Sequence, residues 1–173
     1  SPRQFANEKL PATVMIALSA SGIRPEQLEL EANEGIFLDE SPENLEMFQR
    51  LKRTGVRLAL DDFGTGYSAL GYLKKAPFDK IKIDQSFVLG AADKSSMNAA
   101  IIASIVSLAD ALGMETTAEG VETHDDLALI RGLGCSHVQG YIYGKPMDVD
   151  EVLALLDAGG GQVVAQGFKS VRE

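Results

Sequence analysis

The stretch Leu58–Tyr67, LALDDFGTGY, decides how the rest of this sequence is interpreted. It begins in an apolar run, Val56–Leu60, that is typical of a buried strand. The run leads directly into two adjacent carboxylates, Asp61 and Asp62, and two glycines follow soon after them. Glycine lets the backbone turn away tightly at the end of a strand. The pattern therefore predicts a strand that delivers two negative charges to a functional site at its end.

Strand-like and helix-like runs alternate along the chain. The predicted strands are Leu28–Ala32, Val56–Leu60, Lys80–Ile83, Met114–Ala118 and Ser136–Gln139. The predicted helices are Pro11–Ser21, Pro42–Gly55, Ser68–Lys75, Asn98–Leu112, Thr123–Leu133 and Asp148–Asp157. Strands and helices that alternate with short connections are typical of a parallel sheet. The sequence thus predicts an α/β domain of about five parallel βα units.

The composition excludes several classes of protein. The 173 residues are 45% hydrophobic and 24% charged, which is enough for one buried core. The net charge of −9 argues against a groove for nucleic acid or an anionic membrane surface. No apolar run approaches the roughly 18 residues of a spanning helix, and the first residues lack a signal-peptide pattern. Cys135 is the single cysteine, so no internal disulfide can form, and we expect a reducing, cytoplasmic setting.

Polar side chains follow each of the five predicted strands. In chain order they are Glu34, Asp61 with Asp62, Lys82 with Asp84, Glu119 with Glu122, and Gln139. The carboxyl ends of parallel strands lie on one face, so we expect these side chains to converge on one mouth. Clustered carboxylates repel one another unless cations neutralise them. Oxygen ligands of this kind suit Mg²⁺, Mn²⁺ or Ca²⁺, and adjacent aspartates can bridge two such ions.

A simpler interpretation exists for each residue taken alone. A lone acid after a strand usually caps a helix or lies in solvent, so the recurrence after five strands carries the argument. His124 and His137 have no ligand spacing, and we do not expect either to bind metal. The GTG of Gly64–Gly66 resembles a phosphate-binding loop but lacks the Rossmann spacing and the Walker lysine.

Four segments resemble one known family, in the family's order. They are LELEANEG at 28–35, LALDDFGTGYSALGYLKKAPFDKIKIDQSFV at Leu58–Val88, TTAEGVET at Thr116–Thr123 and VQGYIYGKPM at Val138–Met147. They resemble the EAL family, the cyclic di-GMP phosphodiesterases of bacteria. The resemblance implies a (β/α)₈ TIM-like barrel with its site at the C-terminal mouth, present here as an incomplete barrel.

The resemblance also implies a set of metal ligands. Glu34 would bind metal, although it stands in ANE where the family usually has ITE. Asp61 would be shared by two ions, and Asp62 and Glu119 would bind the second ion. The implied cofactors are two Mg²⁺ or Mn²⁺ ions.

The remaining implied roles concern catalysis and the substrate. Lys82 would hold the attacking water, Glu122 would support a loop, and Gln139 would line the substrate site. Lys82 and Glu122 would thus act with Asp61 and Glu119 as the catalytic group. The loop 62–70 resembles the family's dimer-coupling loop. The implied activity is two-metal hydrolysis of cyclic di-GMP to linear pGpG. The alternative is a catalytically inert module that binds cyclic di-GMP or another protein.

The length of the sequence suggests that part of a barrel is missing. A full barrel needs roughly 250 residues, and the tripeptide EAL does not occur among these 173 residues. We expect residues 1–158 to be the C-terminal portion of an EAL domain and residues 159–173 to be a tail or linker. Three explanations stay open: a piece of a longer enzyme, upstream residues not included in the sequence, or a natural truncation that binds or assembles. We favour the first.

The expected partners follow from an incomplete barrel in a signalling protein. Exposed strand edges favour pairing, so we expect a homodimer or an edge-paired oligomer. The other expected partners are cyclic di-GMP and further domains of a longer protein, with no nucleic acid polymer among them. The location would be cytoplasmic, including the cytoplasmic part of a membrane-attached protein.

Overall fold

The structure is a computed structural model, and it describes residues 2–38, 42–65, 70–93 and 95–157. The predicted tail at 159–173 and part of the predicted dimer-coupling loop 62–70 lie outside the described residues. Among the described helices, none is long and apolar enough to cross a membrane.

Helices and strands alternate as the sequence predicts. The strands are β1 Glu29–Asn33, β2 Arg57–Phe63, β3 Lys80–Ile83, β4 Glu115–Glu119 and β5 His137–Gln139. The helices are α1 Pro2–Phe5, α2 Leu10–Ser21, α3 Pro42–Arg53, α4 Leu70–Leu73, α5 Gln85–Val88, α6 Asn98–Leu112, α7 His124–Gly132 and α8 Val149–Leu155. Short 3₁₀ turns occupy Pro25–Gln27 and Glu34–Leu38.

The strands form one sheet in chain order, β1-β2-β3-β4-β5. β1 and β2 are parallel, and Asn33 of β1 is the register partner of Asp61 of β2. β4 and β5 are also parallel, and Glu119 is the register partner of Gln139. The sheet therefore contains the five strands that the sequence predicts.

Two strand ends differ from the sequence-based boundaries. β2 continues through Asp61 and Asp62 to Phe63, because Asp61 still pairs with Asn33 and Phe63 provides a buried apolar end. β1 ends at Asn33, so Glu34 begins the 3₁₀ turn that follows the strand. Asp61 thus belongs to the β1–β2 ladder and Asp62 to strand β2, whereas Glu34 lies on a turn.

The chain divides into two compact units, and the division passes through β3. The first unit contains the residues up to Lys82 together with Ala111–Met114. Its core contains three aromatic rings in tilted and edge-on contact: the centroid of Phe48 lies 4.4 Å from that of Phe5 and 5.0 Å from that of Phe78. Rings at these separations are stabilised beyond the area that they bury.

The second unit contains Ile83–Asp110 and the residues from Glu115 onward. Helix α6 buries Ile102, Ile105, Val106 and Ala109 at helical spacing. Two reciprocal hydrogen bonds join β4 to the residue just before β5. The Thr116 N–H donates to Ser136 Oγ at 3.3 Å, and the Ser136 N–H donates to Thr116 Oγ1 at 3.0 Å. Each buried N–H thereby gains an acceptor that water would otherwise supply.

Candidate functional site

Asp61 stands at the end of a run with almost no exposure to solvent. Leu58, Ala59 and Leu60 are each at most 1% exposed, whereas the Asp61 side chain is 24% exposed. Its Oδ1 atom is buried and accepts no hydrogen bond of good geometry. A buried carboxylate oxygen without a donor is costly unless a cation compensates it. This atom is therefore the first candidate for a metal-binding position.

Asp62 adopts a backbone conformation that few residues other than glycine accept. Its φ angle is 56°, and it is the one non-glycine residue with positive φ in the described part of the chain. Aspartate tolerates this region better than most residues, but the conformation still costs about 1 kcal/mol or more. The Asp62 carbonyl accepts a 2.8 Å hydrogen bond from the hydroxyl of Thr65, which fixes the turn. The chain thus turns at the second aspartate itself.

Lys82 is the buried cation of the first unit. Its side chain is 7% exposed, and its Nζ lies 2.9 Å from Asp61 Oδ1 and 2.8 Å from Glu31 Oε1. The contact with Asp61 is an ion pair by distance, although its angles do not make a directional hydrogen bond. The sequence placed Lys82 near Asp61, and the two side chains do meet.

Glu34 is buried beside the turn that follows β2. It is 7% exposed, and its Oε1 accepts a 3.2 Å hydrogen bond from the backbone N–H of Gly64. The carboxylate therefore holds the loop after Asp62 in place. Its predicted role as a metal ligand stays a prediction.

Glu31 is a site residue to which the sequence analysis gave no role. It lies on the same face of β1 as Asn33, because side chains alternate along a strand. Asn33 is the register partner of Asp61, so this face of β1 continues the face of β2 that carries Asp61. The sequence signal that could have identified Glu31 is its position two residues before Asn33, in the predicted strand that precedes the strand of Asp61.

Two glycines fix the ends of β4 and β5 in the second unit. A Cβ at Gly140 would lie 2.1 Å from the Val121 carbonyl oxygen, and one at Gly120 would lie 2.6 Å from Gln85 Cβ. Val121 donates its N–H to the Gln139 carbonyl at 3.1 Å, and its own carbonyl accepts from Ile142 at 3.1 Å. The loop after β4 is therefore bound closely to the segment after β5.

The hydrogen bonds of Val121 hold the segments that carry the other predicted site residues, Glu119, Glu122 and Gln139. Glu119 and Gln139 end their strands side by side as register partners. Glu122 follows the fully buried Val121 and is itself exposed. The three residues are thus held on adjoining backbone segments of one unit.

The donor atoms of the first unit fit a hard divalent cation. Asp61 and Asp62 are adjacent and offer carboxylate oxygens only, which are the ligands that Mg²⁺ and Mn²⁺ prefer. The buried Asp61 Oδ1 atom accepts no hydrogen bond of good geometry, and Lys82 contacts it only as an ion pair. The residues present therefore fit the metal that the sequence predicts.

Comparison with known proteins places the chain in a family. The family model described as "EAL domain" matches residues 1–146. The chain is 38% identical over 154 residues to the bifunctional diguanylate cyclase/cyclic di-GMP phosphodiesterase MucR of Pseudomonas aeruginosa, covering 89% of this chain and 22% of MucR. The chain spans about a fifth of the length of the curated relatives that it matches first.

Solved structures agree with this match. The MucR phosphodiesterase in complex with cyclic di-GMP superposes with a TM-score of 0.81 at 38% identity, over 88% of this chain and 61% of that chain. The EAL domain of Mycobacterium smegmatis DcpA gives a TM-score of 0.84 at 32% identity, over 91% of this chain and 70% of that one. Klebsiella pneumoniae BlrP1, solved with manganese and cyclic di-GMP, gives a TM-score of 0.74 at 32% identity, over 83% of this chain and 36% of that chain. The predicted fold, an incomplete α/β barrel of the EAL type, is confirmed.

Proposed function

The chain belongs to the EAL domain family, and from this premise we propose that the intact domain hydrolyses cyclic di-GMP to linear pGpG with two divalent metal ions. The observation that carries the proposal is the Asp61 Oδ1 atom, buried at the end of β2 without a hydrogen-bond donor and paired with the ammonium of Lys82. A metal-dependent phosphodiesterase uses such an acidic position to hold a cation that can neutralise its anionic substrate.

Four carboxylates would hold the ions. Asp61 would be shared between them, Asp62 and Glu119 would bind one ion, and Glu34 would complete the set. Mg²⁺ or Mn²⁺, when bound, would supply an activated water and offset negative charge on the phosphate. Support comes from the all-oxygen donor set and from the manganese complex of BlrP1.

Lys82 would orient the attacking water. Its ammonium is held between two carboxylates in a buried position, which restricts the directions in which it can donate. A fixed donor lowers the cost of placing the water in line with the phosphorus. Lys82 also brings a positive charge toward an anionic substrate.

The second unit would complete the catalytic and substrate-binding groups. Gln139 has an amide that can both donate to and accept from a nucleotide, and it lies beside Glu119. Glu122 would support the loop that holds Glu119, because only Gly120 and the buried Val121 separate them.

The whole protein would be longer than this domain. We propose that residues 1–158 form the C-terminal portion of an EAL domain, that 159–173 form a linker, and that the protein is a cytoplasmic or membrane-attached signalling protein. Support comes from relatives such as MucR, of which this chain spans 22%. A homodimer or edge-paired oligomer is the proposed assembly.

The experiment measures conversion of cyclic di-GMP to pGpG by chromatography, using the intact domain with Mg²⁺ or Mn²⁺. We expect Asp61→Asn to abolish hydrolysis, because the position shared by both ions loses its charge. We expect Lys82→Ala to lower kcat more than it weakens metal binding. Asp93→Asn is the matched control, since Asp93 lies in an exposed turn where it accepts hydrogen bonds from Ser95.

Two results would count against the proposal. Near-normal hydrolysis by Asp61→Asn would refute the metal assignment. Tight binding of cyclic di-GMP without cleavage, in the presence of either metal, would favour the alternative of an inert binding module.

A further inference from the structure

Lys82 reaches one of its two carboxylates, Glu31, across a neighbouring strand. β2 lies between β1 and β3 in the sheet, yet Lys82 of β3 contacts Glu31 of β1 at 2.8 Å. Adjacent strands are about 4.8 Å apart, so β1 and β3 are separated by roughly twice that distance. Neither side chain can meet the other without passing over β2.

The residue beneath this contact is Ala59. It is the register partner of Glu31, and it precedes Asp61 by two residues on the same face of β2. Ala59 has no exposed surface, and Lys82 is only 6% exposed as a residue. The ammonium therefore occupies a closed space, and the small size of the alanine methyl group keeps that space open.

The register pair two residues earlier on the same face of the sheet, Glu29 and Arg57, serves as a comparison. There Lys80 of β3 contacts Glu29 of β1 at 2.8 Å, and the β2 residue beneath them is Arg57. Arg57 is large, but its Nε lies 3.4 Å from the same glutamate and joins the ion pair. A large apolar side chain could not join such a pair. The β2 residue at each level thus decides how lysine and glutamate meet.

We propose that Ala59 is a positioning residue for Lys82: its small side chain leaves the room in which the ammonium meets Glu31 and Asp61. Ala59 does not touch the substrate and acts through Lys82. A purely structural role as a packed strand residue predicts a different result, because enlarging it would then loosen the whole sheet without a particular effect on Lys82.

The test measures how fast each lysine is acylated by an N-hydroxysuccinimide ester in the folded chain. Tandem mass spectrometry separates Lys82 from Lys80, and the exposed Lys75 is the reference. We expect Ala59→Val to raise acylation of Lys82 by about tenfold, because an ammonium displaced from a buried ion pair gains solvent. Lys80 should change by less than about twofold, since its partner Glu29 is untouched. Ala59→Gly, which adds no atoms, should leave Lys82 protected.

Ala118→Val is the matched control. Ala118 is also a fully buried strand alanine, and by strand alternation it faces away from Glu119. The proposal is overturned if Ala59→Val leaves Lys82 protected, or if Ala118→Val exposes Lys82 equally. If Ala59→Val does not unfold cooperatively, the smaller substitution Ala59→Ser is used instead. The acylation rate of Lys82 is then compared with that of Lys80 in the same way.

A second measurement rests on the proposed function. In the intact domain, Ala59→Val should lower kcat with little effect on KM, and it should cost nothing further when Lys82→Ala is already present. Additive losses would overturn the proposal. Because the acylation experiment needs no activity, an intact domain that fails to cleave cyclic di-GMP would refute the proposed function and leave the test of Ala59 standing.

Discussion

Lys82 has one positive charge and two carboxylates around it. Burying an ammonium is costly, and Glu31 and Asp61 offset that cost because they hold it at 2.8 and 2.9 Å. The three groups together still carry one negative charge. Asp62 adds a further carboxylate at the next position of β2. An excess of negative charge of this kind favours the binding of a divalent cation.

Cys135 gives a prediction about pH. The residue is fully buried, and burial raises the pKa of its thiol above the ordinary value, with hydrogen bonds from Thr116 and nearby backbone groups opposing the shift. The thiol of the unfolded chain ionises near pH 8.5, whereas that of the native chain stays protonated. Stability is thus fully present below that pH and falls as the pH rises toward the native pKa, by up to about 1.4 kcal/mol per unit.

The measurement is the free energy of unfolding in urea from pH 7 to pH 10. Other groups also titrate in this range, so the comparison is with Cys135→Ala, which removes only the thiol. The decline above pH 8.5 should be steeper in the wild-type chain. Parallel curves for the two proteins would show that the native thiol ionises normally.

Single residues were predictable where several constraints coincide. Asp61 followed a buried run and preceded two glycines, so its place at a strand end could be inferred. Glu31 could not be identified in this way, because a glutamate in an alternating strand normally faces solvent. Its role depends on Lys82 reaching over β2, and that contact depends on the order of three strands rather than on any local pattern.

At the scale of elements, caps explain where the helices begin. Thr123 Oγ1 accepts a 3.1 Å hydrogen bond from the Asp126 N–H, and the Asp126 carboxylate accepts one of 3.1 Å from the Thr123 N–H. This reciprocal pair is a capping box, which satisfies donors that the first turn leaves free. Asp148 and Glu151 repeat it at the start of α8.

We predict that Thr123→Ala lowers the free energy of unfolding by about 1 kcal/mol, because the first turn of α7 loses its acceptor. The measurement is urea denaturation of both proteins under the same buffer. Thr13→Ala is the control, since the Thr13 hydroxyl donates to the Lys9 carbonyl on the exposed surface of α2. An equal loss in both variants would mean that the cap has no special contribution.

The long helices could be predicted because their apolar spacing extends over several turns, and the five strands because short apolar or alternating runs recur between those helices. Lys80–Ile83 and Asn98–Leu112 have the same bounds in the structure as in the sequence analysis. The four-residue helix α5 was not predicted, because one turn is too short to show a period. Its signal is Asp84, whose carboxylate accepts from the Ser86 N–H at 2.9 Å and caps the turn.

At the scale of the whole molecule, the sheet has two outer strands in the described part of the chain, β1 and β5. A strand at the edge of a sheet presents unpaired N–H and C=O groups that pair readily with another chain. The DcpA EAL domain shares 70% of its length with this chain, so an intact domain has further residues that can cover such edges. The same residues would add to the wall around the substrate.

We therefore predict that residues 1–173 alone bind a divalent cation but do not cleave cyclic di-GMP at the rate of the intact domain. Asp61 and Asp62 would bind one ion, whereas the orientation of the substrate supplies a large share of such a rate and needs the rest of the wall. The chain alone should also self-associate through its edges. Calorimetry with Mn²⁺, the mass in solution and the yield of pGpG measure the three properties, with the intact domain as control. A monomeric chain that produces pGpG as fast as the intact domain would show that these residues already contain the complete site.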